Sequence, residues 1–136
     1  MRINLRLPTP VVLIISVSLL AGAEPQDQKA LQGKWQATEA TSNGEPPPAG
    51  MLEKISLVFT NNMISVMGAP SVRFIIDTNA TPARIDILNS ARQVGIYELK
   101  GDTLKLCVGV SGDRPNAFVT KKYTDQTYML LKRVKE

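Results

Sequence analysis

Residues 94–108 read Val-Gly-Ile-Tyr-Glu-Leu-Lys-Gly-Asp-Thr-Leu-Lys-Leu-Cys-Val, and this stretch decides the fold. Val94 to Leu99 reads as a strand and Lys100-Gly101-Asp102 as a tight turn. Thr103 to Val108 is the return strand, with Leu104, Leu106 and Val108 on one face. Successive side chains on a strand point to opposite faces, so this spacing lays an apolar row along one side of a hairpin. The same period of two recurs on either side. Ile55, Leu57 and Phe59 alternate with Lys54, Ser56 and Thr60, and Asn61-Asn62 is a turn signal leading into a partner strand, Met63 to Met67. Val72, Phe74 and Ile76 alternate with Ser71, Arg73 and Asp77, and Ile85 and Ile87 flank Asp86. Phe118 to Thr120 and Thr127 to Val134 complete the set.

From Trp35 onward no amphipathic segment reaches the roughly 10–12 residues of a crossover helix, so parallel pairing is excluded. Short, regularly spaced strands predict an antiparallel sandwich or barrel, and closure removes the exposed edges that an all-β chain must protect. The expectation is an all-β domain over residues 24–136, a small antiparallel barrel of about eight short strands preceded by a short helical turn. Asp27 is expected to cap that turn, with Gln28 to Leu31 behind it and Gly33 ending it. Asn43 to Gly50, with three prolines, reads as a surface loop crossing one barrel end, and Gly109 to Asn116 as a second long loop.

Ahead of this domain, Arg2 and Arg6 form a basic start, Val11 to Leu20 is a ten-residue apolar run, and Ala21-Gly22-Ala23 supplies small residues where a signal peptidase reads. Ten helical residues span about 15 Å, half a hydrocarbon core, which favours a cleaved export signal over an anchor. Residues 1–23 are therefore read as a signal peptide, and no cysteine follows at the cleavage site to be lipidated. The mature protein is expected to be exported, periplasmic or secreted, with no stable membrane anchor. The chain has 16 basic and 12 acidic residues; losing Arg2 and Arg6 leaves about +2, spread along the chain, which gives no footprint for nucleic acid.

The composition narrows the chemistry. The chain has no histidine and one cysteine, which removes Ser-His-Asp and Cys-His nucleophiles, imidazole metal sites, intrachain disulfides and CxxC motifs. No metal site, catalytic residue or cofactor is assigned, and the chain is read as not an enzyme. The acids Asp77, Asp86, Glu98, Asp102 and Asp113 are scattered, and Asp86 and Glu98 are expected on the outer face. Arg114 beside Asp113 suits an anion, but a structural salt bridge is the simpler reading. Cys107 is placed on the face opposite Leu104 and Leu106, or at a barrel seam, and is expected to be buried and inert.

Three stretches carry a family resemblance. Leu31-Gln32-Gly33-Lys34-Trp35 contains the Gly-x-Trp pattern found after the short N-terminal helix of lipocalins. Gly95 to Cys107 is the second stretch; the third is Arg114-Pro115-x-x-Phe118 with the terminal Leu130-Leu131-Lys132-Arg133. Together they resemble a family of small exported lipocalin-like domains of planctomycete-type bacteria, over most of residues 31–133. The resemblance implies a fold and a compartment, and brings no substrate, cofactor or catalytic residue. It also implies a closure pair, since an arginine from the end of a lipocalin barrel packs over the Gly-x-Trp indole; here those positions are Arg133 and Trp35.

The inward row of Leu57, Phe59, Phe74, Ile76, Ile85, Ile87, Tyr97, Leu99, Leu104 and Leu106 makes an apolar lumen. Eight strands leave an interior only just wide enough for side chains, so this lumen is either packed or a ligand cavity. Phe59, Phe74, Tyr97 and Leu106 are the candidate ligand-binding residues, with Tyr97 expected inward and its hydroxyl bonded near a barrel end. Two functional readings follow: a non-enzymatic domain binding a small apolar ligand, or a protein-interaction or inhibitor module with a solid core working through its end loops on an extracytoplasmic protein. For the export reading, N-terminal sequencing of protein recovered from outside the cytoplasm should begin at Glu24 or within a few residues. Full-length chain in the membrane fraction would contradict it.

Overall fold

The computed structural model describes residues 25–110 and 113–135. The segment read as a signal peptide, residues 1–23, lies outside the described residues. Eight strands form an antiparallel barrel closed in chain order: β1 (Gly33–Ser42), β2 (Ser56–Thr60), β3 (Met63–Val66), β4 (Val72–Asp77), β5 (Ala83–Ile87), β6 (Gln93–Lys100), β7 (Thr103–Gly109) and β8 (Gln126–Arg133). A short helix, α1 (Gln26–Ala30), precedes them, and a 3-10 turn at Leu52–Lys54 leads into β2. Closure is made by β1 and β8, paired from Trp35↔Arg133 to Ser42↔Thr127.

Strand β1 has to serve two neighbours. Its first half pairs with β2 from Gly33↔Phe59 to Gln36↔Ser56, and its whole length beyond Trp35 runs beside β8. The register shifts between Ala37 and Glu39, so Thr38 is an extra residue in the ladder. A bulge resets the in/out alternation. Trp35 and Ala37 face inward before it and Ala40 after it, all buried, and the strand turns away from β2 toward β8.

The barrel end at Gly33 is plugged. Helix α1 leads to Leu31, which is buried with Trp35 and Tyr97 in the core. Asp27 lies within α1, where its carboxylate accepts the Tyr97 hydroxyl at 2.8 Å; Pro25 holds the N-cap position and no side chain caps the helix. The expected capping role of Asp27 is thus replaced by a bond across the barrel end. The Gln32 side-chain amide pairs with the backbone of Asn61, donating to its carbonyl at 2.9 Å and accepting from its N–H. That pairing ties the segment after the helix to the β2–β3 turn.

Arg133, at the end of β8, joins these parts. Its guanidinium carbon lies 4.3 Å from the Trp35 ring centroid. The same group donates to the carbonyls of Gln32 and Ala30, each at 2.6 Å, and its Nε donates to Asp102 at 2.9 Å. These carbonyls close a helix too short to satisfy them itself. The indole Nε1 donates to the Leu31 carbonyl at 2.8 Å. Gly33 adopts a φ of +114°, and a side chain there would stand 3.4 Å from the Arg133 guanidinium. The Gly-x-Trp spacing thus has a physical content: a left-handed backbone step, room for the arginine and an indole beneath it.

The connection from β7 to β8 does not extend the sheet. Phe118 to Thr120, expected as a strand, forms no ladder and belongs to a strap across the outside of β6 and β7. Pro115 supplies no N–H to a ladder and is itself buried. Beneath the strap Val94, Ile96 and Cys107 are buried although they point away from the lumen. Arg114 pins one end, paired with Asp86 at 2.8 Å and donating to the Gly95 carbonyl at 2.8 Å. Thr120 pins the other, its hydroxyl within 3.1 Å of Thr41 and accepting from the Gly44 N–H at 2.9 Å.

Arg133→Ala should lower stability by about 2–3 kcal/mol, since it removes a cation–π contact and leaves helix-end carbonyls without a donor. Tryptophan emission should shift with it. Lys135, a mostly exposed partner of Asp102, should change stability by less than about 0.5 kcal/mol when replaced by alanine. Equal denaturant midpoints for the two variants would refute the role given to Arg133.

Candidate functional site

The two ends of the barrel differ. At the α1 end the lumen is filled by side chains. At the other end a cavity of about 550 Å³ opens, within the size range of small-molecule sites. Its inner wall is apolar, with Ala40, Ile55, Leu57, Ile87, Leu106 and Met129 contributed by strands β1, β5, β7 and β8 and by the β2 region. Thr41, Ser42, Gln93 and Thr127 add hydroxyl and amide groups. Glu45, Pro46, Pro47, Pro48 and Met51 from the β1–β2 connection, Val66 and Met67 at the end of β3, and Val108 of β7 complete the lining.

The connection is held in place at its root. Asn43 and Gly44 have φ of +52° and +85°, and Ser42 and Glu45 exchange backbone hydrogen bonds of 2.8 and 3.0 Å. Positive φ at both central residues is the geometry of a type I′ hairpin turn, which Asn-Gly favours. The Asn43 side-chain oxygen accepts from the N–H groups of Asp125 and Thr124, at 2.7 and 3.2 Å. The turn is therefore fastened to the strap, and the three prolines that follow leave this segment few backbone choices. Asn43-Gly44 was readable in the sequence as a hairpin turn, though the prolines beyond it directed attention to a loop.

The four candidate binding residues separate. Leu106 lines the cavity. Phe59, Phe74 and Tyr97 do not; they are buried in the packed core, with Phe59 and Phe74 edge to face at 5.1 Å between centroids. The separation has a geometric cause. Alternation assigns a side chain to the lumen, but its depth along the barrel axis depends on strand register and on which end the helix plugs. Burial and the bond to Asp27 push the Tyr97 hydroxyl well above the ordinary tyrosine range, so it is a neutral donor anchoring the plug.

The charged groups are on the outside. Asp86 pairs with Arg114, and Glu98 lies 3.7 Å from Lys105 and 3.8 Å from Lys100. Asp102 is held below the usual carboxylate range by Lys135 and Arg133. Cys107 is fully buried beneath the strap, its thiol facing the Val119 carbonyl at 3.8 Å, and burial pushes it up to about 11. Lys105, the neighbouring cation on that strand, is directed to Glu98. Among the described residues no three His, Cys, Asp or Glu side chains converge as a metal site would require.

Fold and cavity define a class of molecule: a small closed antiparallel barrel, packed at one end and open to an apolar cavity at the other. Set against known proteins, the chain matches no family model, no curated protein and no solved structure.

The Cys107 environment gives a measurable expectation. In the unfolded chain the thiol ionises near 9.0, in the folded one at about 11. Between these values the unfolded chain has released a proton that the folded one keeps, so this contribution to stability is present below pH 9 and is lost as pH rises toward 11. The difference in urea midpoint between native protein and Cys107→Ala should therefore change across pH 8–11. The native thiol should also resist a disulfide reagent at pH 8 until the protein is unfolded. Prompt modification of the folded protein would show that the strap does not cover it.

Proposed function

We propose that this chain is an exported, lipocalin-like binding domain that takes a small apolar molecule into the open end of its barrel and performs no chemistry on it. The observation that carries the reading is the cavity itself: about 550 Å³, apolar within, and bordered by hydroxyl and amide groups at Thr41, Ser42, Gln93 and Thr127. Apolar surface facing a void is favourable to cover, and a few polar groups suffice to orient an entering molecule. The Gly-x-Trp entry, the Arg133 closure and the resemblance to small exported lipocalin-like domains support the same reading, and the sequence of residues 1–23, read as a signal peptide, supports export. A solid core was the premise of the interaction-module alternative, and the open half of the lumen weighs against it.

The test is binding of a neutral apolar fluorophore, N-phenyl-1-naphthylamine, followed by its emission. The native protein should bind it saturably. Leu106→Trp, which adds bulk at the cavity wall, should weaken binding at least about tenfold if it fills the space. Ile75→Trp, at an outer position that is half exposed, should leave binding unchanged. No saturable binding, or binding indifferent to Leu106→Trp in a protein with native stability, would overturn the proposal.

A further inference from the structure

Within that reading, we infer that the ligand is an amphiphile with a cationic head, an alkyl or aryl amine, rather than a carboxylic acid. The inference rests on the charge and placement of the groups at the cavity mouth. Among the residues lining the cavity, Glu45 alone carries a formal charge, and no lysine or arginine is present. Glu45 forms no salt bridge among the described residues. An anionic head entering this site would meet a carboxylate and no countercharge, whereas an ammonium would meet one carboxylate and several neutral acceptors.

Placement matters as much as sign. Glu45 is the last residue of the Ser42–Glu45 turn, whose backbone bonds, left-handed Asn43-Gly44 pair and tie to the strap fix the position of its Cα. Pro46 follows directly, so the chain cannot swing the acid away without breaking the turn. The apolar wall lies behind it, at Ala40, Leu106 and Met129. A chain inserted among these residues puts its head at the level of Glu45, Ser42 and Thr127, whose hydroxyl is 3.1 Å from that of Ser42. The nearest cation on the far side is Lys122, which shares with Glu45 a separate groove, together with Asp125. Lys122 lines that groove and not the cavity, and it forms no salt bridge with Glu45 among the described residues, which leaves Glu45 as the formal charge at the mouth.

Three ligands of one chain length separate the possibilities: decan-1-amine, decan-1-ol and decanoate at pH 7, each competing with N-phenyl-1-naphthylamine below its aggregation limit. The amine should bind about threefold to tenfold more tightly than the alcohol, the gain of one partly exposed ion pair, and decanoate more weakly than the alcohol. Glu45→Gln should bring the amine to within about twofold of the alcohol and leave the alcohol unchanged. Added salt should shrink the amine's advantage in the native protein alone. If the alcohol binds but the amine binds no better, or Glu45→Gln leaves its advantage intact, the inference on the head group fails and the binding reading stands. If the fluorophore binds but none of the three displaces it, the inference on the ligand fails; if the fluorophore itself does not bind saturably, the binding reading fails.

Discussion

The contact on which the rest of this structure depends is the Arg133 guanidinium above Trp35. A closed barrel needs its first and last strands to meet, and their ladder alone does not say what seals the end of the lumen. Arg133 acts on three parts at once: the indole at the start of β1, the carbonyls ending α1, and Asp102 in the β6–β7 turn. Its bonds tie the helix end to the barrel end, and Leu31 and Tyr97 are buried there. The bond from Tyr97 to Asp27 then adds a second anchor inside the plug.

That plug makes the barrel asymmetric, and the asymmetry generates the cavity. Large rings occupy the lumen at and beyond the helix end: Trp35, Tyr97, Phe59 and Phe74. Toward the other end the inward side chains carry no aromatic ring: Ala40, Leu57, Ile87, Leu106, Val108 and Met129 line the cavity. The Thr38 bulge contributes directly, because without it Ala40 would face outward. It also turns β1 away from β2, and the gap is spanned by the Asn43–Lys54 connection, whose prolines line the mouth.

The strap from Asp113 to Asp125 plays a different part. It buries the outer face of β6 and β7 and so makes one sheet region apolar on both sides, which is unusual in a barrel whose outer face meets water. Its two attachments lie far apart in function. Arg114 braces β5 against β6, while Thr120, Thr124 and Asp125 hold the Ser42–Glu45 turn at the cavity mouth. A segment read from the sequence as a loop and a short strand therefore holds the rim in place.

How much of this was legible in the sequence divides along a physical line. The period of two in Leu104-Lys105-Leu106 and Ile55 to Phe59, with Gly and Asn turns between, determined strands, hairpins and an antiparallel barrel, because side-chain direction on a strand is a local property. The meeting of Trp35 and Arg133 was implied by the resemblance to lipocalin-like domains, and the closed ladder of β1 and β8 supplies its geometry. Depth along the axis, the contrast between Leu106 at the cavity and Phe59, Phe74 and Tyr97 in the packed core, was not local. It required the register of every strand and the position of the plug. Cys107 was expected to be buried, and it is, but what covers it on the outer face was not local, since the strap meets it through Val119, twelve residues further along the chain. Alternation says which side of a strand a residue faces; only the assembled barrel decides what stands opposite it.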